Sequence, residues 1–268
     1  MTPAIHLIVQ YCNASTPSRQ DEYDYCLRRN LNNPHIIKIH NLIEPQTKVP
    51  EEFRDHKKYF EHPLGRWMTY ADALEYASTN LPGQIACLSN LDIFLDDEKT
   101  DWSQVALFVD QSIVLCLSRI EFDGRGKTYK DPGFEKLAFA NTQDVWIFRS
   151  PFQTPESDFE IGTLGCDNAF ADRIRRAGRM PLNAATRFPI FHFDQCRGKS
   201  FANQAEVHAA DRAHRPRRRP EDAGQYLVPD FDQVQSVDVV LKSLNVPDLQ
   251  RYSIICEIIS RYVKIKNP

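Results

Sequence analysis

No apolar run in this chain approaches the roughly 20 residues that a membrane-spanning helix needs. No C-x-x-C pair occurs among its seven cysteines. Cys87 and Cys116 lie within apolar, strand-like runs, so buried reduced thiols of a cytosolic protein are expected rather than a disulfide framework. The start, Met1-Thr2-Pro3-Ala4-Ile5-His6, lacks a basic region and a cleavage pattern, so no signal peptide is expected and the location is read as cytoplasmic. Internal repeats and low-complexity tracts are absent. A net charge of −3 excludes polyanion binding through bulk positive charge. What remains is ordinary globular composition, 42% hydrophobic and 26% charged over 268 residues, enough for one large α/β domain with or without an appendage.

Apolar, β-branched Ile5–Val9 predicts a first strand. Thr16-Pro17 sets an N-cap and a first helical position, and the helical spacing of Tyr23, Cys26 and Leu27 predicts a helix from 17 to 30. Asn32-Asn33-Pro34 stops it and Ile36–Ile39 follows as a strand, which makes a βαβ unit with a right-handed crossover. Residues 45–65 read as a Pro- and charge-rich loop with a short helix. Further on come a helix over 69–77, strands at 85–89, 113–118 and 145–148, a helix from Asp167 to Ala177 closed by Gly178, and a strand at 189–192. An α/β fold follows, with residues 1–200 as the main domain and 201–268 as a C-terminal extension packed on it.

Four constellations carry chemistry. The buried strand at 85–89 runs into Asn90-Leu91-Asp92, and ligands of open α/β sheets bind outside the carboxyl ends of strands. A carboxylate there beside a second oxygen suits a hard cation carrying a phosphate, although Asn and Asp are also common turn residues. Gly162-Thr163-Leu164-Gly165-Cys166-Asp167-Asn168 allows a tight backbone approach and sets Asp167 at a helix N-terminus, as ligand-facing acid or as simple cap. His192 ends a short strand, as Asp92 follows one, and imidazole suits Mn²⁺ better than Mg²⁺. Asp144 entering a strand beside Trp146 suits a sugar hydroxyl contact with an aromatic platform, or else a turn acid beside a buried indole.

In this order the four resemble the nucleotide-sugar glycosyltransferases of the GT-A fold over about residues 4–197. Gly165-Cys166-Asp167-Asn168 is the closest match, and Ile5–Val9, Arg19–Tyr23, Ile36–Ile39 and Glu44 resemble the donor-binding half. The resemblance implies a Rossmann-like, mixed and mostly parallel sheet flanked by helices. It also implies a nucleoside-diphosphate sugar donor, most naturally a UDP-sugar, and a divalent cation, Mn²⁺ or Mg²⁺, held by Asp92 and His192. Asp167 would act as base toward the acceptor hydroxyl, with Asn168, Asp144 and Trp146 on the acceptor and sugar side. Gln10 and Tyr11 would contact the nucleoside, with Tyr11 stacking on the base. Arg19 would meet phosphate, Glu44 a ribose hydroxyl, and Asn90 would stand beside Asp92. Two departures stand out: Asn90 replaces the first Asp of a D-x-D motif, and Asp167 replaces a longer Glu.

Three readings stay open beside the transferase. Asn90 motivates a non-catalytic nucleotide-sugar or glycan-binding protein of the same fold. A nucleotidyltransferase would use a similar sheet, but 11–17 has neither glycine nor lysine, which argues against a phosphate-cradling loop after the first strand. Arg212, Arg215, Arg217, Arg218 and Arg219 form a local basic run that suits an anionic glycan or a nucleic-acid acceptor, or a plain solvated loop. No aromatic residue interleaves it to stack on bases.

Overall fold

In the computed structural model the described residues are 5–193, apart from 99, 110–112, 123, 125–127, 130–138, 141–142 and 163–164, together with 195 and 234–236. Along the chain they form β1 (Ile5–Val9), α1 (Pro17–Asn32), β2 (Ile36–Ile43), α2 (Glu51–Arg54), β3 (Tyr59–Pro63), α3 (Tyr70–Asn80), β4 (Ile85–Ser89), β5 (Ile93–Leu95) and α4 (Val105–Phe108). Then follow β6 (Ile113–Leu117), β7 (Arg119–Phe122), β8 (Thr128–Tyr129), β9 (Phe139–Ala140), β10 (Val145–Arg149), α5 (Cys166–Arg176), β11 (Met180–Asn183), β12 (Ile190–Phe193) and β13 (Val234–Ser236).

The main sheet has the order β3-β2-β1-β4-β10-β6-β11-β13-β9. β1 to β4 are mutually parallel, β10 runs antiparallel between β4 and β6, and β11 is again parallel to β6. This is the mixed, mostly parallel α/β sheet flanked by helices that the resemblance implied. β1, β4 and β6 are buried at every position, because both sheet faces are covered. On one face Ile5, Leu7, Val9, Cys87 and Leu115 pack with Leu27 and Leu31 of α1. On the other, Ile8, Ala86, Leu88 and Trp146 pack with Tyr70 and Leu74 of α3 and Phe170 of α5.

Local chemistry fixes the helix ends. The Thr16 hydroxyl accepts from the Arg19 amide at 3.3 Å, with Pro17 in the first turn. Thr69 and Asp72 form a reciprocal capping box on α3. α5 opens on Gly165 at φ 82° and is followed by Gly178 at φ 76°, left-handed values that favour glycine at both ends.

The stretch 45–65 departs from its expectation. It holds α2, but also β3, which pairs parallel with β2 at the sheet edge. Only Tyr59 of β3 is buried, so the strand carries no apolar pattern to read. A second, small sheet of order β5-β12-β7-β8 was not expected either. The extension 201–268 lies outside the described residues except for 234–236, whose strand β13 joins the main sheet beside β11.

Candidate functional site

β1, β4 and β6 all end at one edge of the main sheet. Because β10 is antiparallel, its first residue, Val145, stands opposite both Ser89 and Leu117, so Asp144 arrives at that same edge. Asn90 follows β4 there. Its backbone N–H donates to the Asp144 carbonyl at 3.1 Å and its side-chain amide to Asp144 Oδ1 at 2.9 Å. Both contacts use N–H groups of Asn90 and tie it to Asp144.

Asp92 and His192 meet through the small sheet. Antiparallel pairing sets His192 opposite Ile93, and parallel pairing sets it beside Glu121. His192 Nε2 lies 3.1 Å from Asp92 Oδ2 and Nδ1 lies 2.7 Å from Glu121 Oε2. α1 clamps the same segment: Asn30 accepts from the Leu95 amide at 3.1 Å and donates to the Ile93 carbonyl at 2.9 Å. Arg19, from the first turn of α1, donates to the same Asp92 oxygen and, at 2.6 Å, to buried Glu22. The second oxygen of Glu22 accepts from the Gln195 amide at 2.7 Å.

Arg119 extends the network. Its Nε donates to Glu121 at 2.7 Å and its Nη1 to both Asp144 oxygens at 3.0 and 3.1 Å. One hydrogen-bonded chain thus runs from Glu22 through Arg19, Asp92, His192, Glu121, Arg119 and Asp144 to Asn90. Asp167 lies next to it, in the first turn of α5, and accepts from the Gln143 amide at 3.1 Å.

Burial works against a charged imidazole at His192, but Asp92 and Glu121 outweigh it and raise its pKa. Burial also disfavours the Glu121 carboxylate, yet His192 and Arg119 bring it down to about 2. Burial, then the negative charge of Asp144, push Asp167 up to about 6, against the opposing pull of backbone amides. Arg19 is held charged well above its ordinary range by Asp92 and Glu22 despite its burial. Its Nε is buried without a hydrogen-bond partner.

Two expected contacts fail on burial. Tyr11 is 1% exposed, its hydroxyl donates to Asp24 at 2.6 Å and its ring meets Phe53 edge-on, so no face is left for a base. Trp146 is fully buried against Tyr70 and Phe170 and offers no platform to a sugar. Gln10 is also buried, its amide bridging the Arg66 carbonyl at 2.9 Å and the Met68 amide at 2.8 Å. Glu44 and Asn168 are partly exposed. The backbone amide of Asn168 supports the Asp167 carboxylate. Arg212–Arg219 lies outside the described residues.

Glu22, Arg119 and Glu121 belong to this network and had no role of their own assigned in the sequence. The signal for the last two was the alternation Arg119-Ile120-Glu121-Phe122 directly after Ser118, a period of two that marks a strand with one polar face.

For a divalent cation the fit is partial, because an ion would have to replace the proton that His192 Nε2 shares with Asp92. Among the described residues no group of three or more His, Cys, Asp or Glu side chains is arranged to hold a metal. Asp92 and His192 supply one carboxylate and one imidazole on a common point, and Glu121 on Nδ1 orients the ring as the outer partner of a ligating histidine does. The remaining positions would fall to a diphosphate and water, the usual arrangement for a hard cation shared with a phosphate substrate.

No family model matches the sequence, and no curated protein matches it. Among solved structures the chain is similar to S. aureus TarS 1-349 in complex with UDP-GlcNAc, at 13% identity over 84% of this chain and 70% of that one, with a TM-score of 0.47. It is also similar to S. aureus TarS 1-349 at 12% identity, 72% and 58% coverage and a TM-score of 0.43. A putative glucose-1-phosphate thymidylyltransferase from Bacillus anthracis, in complex with a sucrose, matches at 9% identity, 82% and 99% coverage and a TM-score of 0.42. Among the described residues no helix is long and apolar enough to cross a membrane.

Proposed function

We propose that the chain is a glycosyltransferase that moves a sugar from a nucleoside-diphosphate sugar, a UDP-sugar first among candidates, to an acceptor hydroxyl. The observation that carries this reading is the meeting of Asp92, His192, Asp144 and Asp167 with two arginines at the carboxyl edge of the sheet, where α/β folds bind phosphorylated ligands. Asp92 and His192 would hold Mn²⁺ or Mg²⁺, which when bound neutralises charge on the departing diphosphate. Arg19, buried and held charged, adds a fixed positive centre beside Asp92.

Asp167 is the base in this reading. A carboxyl raised to about 6 is ionised near neutrality and still basic enough to accept the proton of an attacking hydroxyl. Asp144, gripped by Arg119 and Asn90, is set to accept a hydrogen bond from a sugar hydroxyl. Tyr11 and Trp146 have no part in binding. Gln10 acts only by fixing the segment 66–68, and Glu44 remains the candidate for a ribose hydroxyl.

A non-catalytic binding protein is the second reading, favoured by the Asn90 amide being engaged with Asp144. The test is turnover of a panel of nucleotide sugars with and without Mn²⁺, comparing the wild type with Asp92→Ala. Mn²⁺-dependent hydrolysis or transfer lost in the variant supports the enzyme. Donor-dependent thermal stabilisation without turnover supports the binding protein, and equal turnover by both chains removes Asp92 from the mechanism.

A further inference from the structure

Three histidines and a tyrosine form a second polar cluster that shares no residue with the Asp92–Asp167 network. His6 of β1, His40 of β2 and His62 of β3 lie on neighbouring parallel strands, and Tyr76 of α3 reaches down onto them. His6 Nδ1 is 3.0 Å from His40 Nε2. Beyond that link, three donor atoms converge. His40 Nδ1 and His62 Nε2 are 3.4 Å apart, and the Tyr76 hydroxyl is 2.8 Å from the first and 2.6 Å from the second. His6 and His40 are buried, while His62 and Tyr76 are partly open to solvent.

Hydrogen bonding alone satisfies this triangle only in some tautomers. If His40 donates its Nε2–H to His6, its Nδ1 carries a lone pair aimed into the triangle. His62 in its Nδ1–H form presents a second lone pair there, and the single Tyr76 hydroxyl proton can serve one of the two. A cation resolves the conflict by taking both. Nitrogen donors sharing one tetrahedral ion at bond lengths of about 2.0–2.2 Å lie about 3.3–3.6 Å apart. The 3.4 Å between His40 Nδ1 and His62 Nε2 meets this, while the Tyr76 hydroxyl, at 2.8 and 2.6 Å from them, would swing outward to join the ion.

We propose that His40, His62 and Tyr76 form a binding site for a divalent transition-metal ion of imidazole-preferring type, Zn²⁺ being the simplest member. His6 serves as the outer partner that orients His40, as hydrogen-bonded groups behind ligating histidines do. Burial disfavours the charged form of all three imidazoles. Burial pushes the Tyr76 phenol up to about 12, which makes it the third and weakest donor. The site opens through His62 and Tyr76, on the β3 edge of the sheet.

The test is equilibrium dialysis of the untagged full chain against Zn²⁺, with bound metal read by atomic emission. One equivalent is expected in the wild type and in Asp92→Ala. His62→Ala, at a partly exposed position, should bind it at least 10-fold more weakly, as should His62→Gln if the alanine variant loses its near-UV dichroism. Tyr76→Phe should weaken it to a lesser degree. No Zn²⁺ on the wild type, or equal binding by wild type and a folded His62 variant, overturns the proposal. An equivalent lost only in Asp92→Ala also overturns it and assigns the ion to the other site.

Discussion

Asp167 shows how one residue's surroundings set its chemistry. Its carboxyl is raised from its ordinary 3.8 to about 6, by burial first and by Asp144 second. The folded chain therefore keeps a proton there that the unfolded chain has released, so the stability Asp167 contributes falls as pH rises from about 4 to about 6. The proposed transfer has the opposite sign, because a base must be ionised, and its rate should drop as pH falls through about 6. Asp144→Asn removes the nearby negative charge and should move that acid limb to lower pH; an unmoved limb in the pH–rate profile would assign it to another group. Glu121→Gln should leave His192 poorly oriented and raise the Mn²⁺ concentration needed for half-maximal transfer by about 10–100-fold.

Between elements, the site depends on β5 being held from two sides. β12 pairs with it along one edge, and Asn30 of α1 ties its backbone on the other. Asn30→Ala removes both ties and should cost about 2–3 kcal/mol, seen as a lower Tm. The Leu95 amide should exchange faster with solvent, and exchange unchanged at Leu95 would show that β12 alone holds the strand. Legibility divided along the same line. Strands buried on both faces, such as Ile5–Val9, Ile85–Ser89 and Val145–Phe148, announce themselves as apolar runs, and capped helices announce their ends. Asp92 and His192 were legible because each stands at or just beyond a strand end. Glu121 was hidden in a strand of only partly buried residues, and its partnership with His192 exists only through a register between segments 71 residues apart. Tyr11 and Trp146 misled because an aromatic residue in sequence does not declare which side of the sheet it faces.

The whole molecule is a sheet with a core on each face. The α5 side rests on an aromatic stack in which Phe170 lies 4.1 Å from Tyr70 and meets Trp146 edge-on. Phe170→Ala should lower stability by about 3–5 kcal/mol. The urea midpoint should fall while the slope of the transition stays constant, since the surface exposed on unfolding is nearly the same. A changed slope would mean that α5 detaches separately from the rest. The small sheet adds a consequence in time. β5, β7 and β12 leave the ribosome in that order, and His192 comes 100 residues after Asp92. A nascent chain ending before Ile190 already has the carboxylates of Asp92 and Glu121 but no imidazole between them. The polypeptide can thus fold much of its central sheet early, yet lacks the imidazole of the proposed cation site until β12 docks.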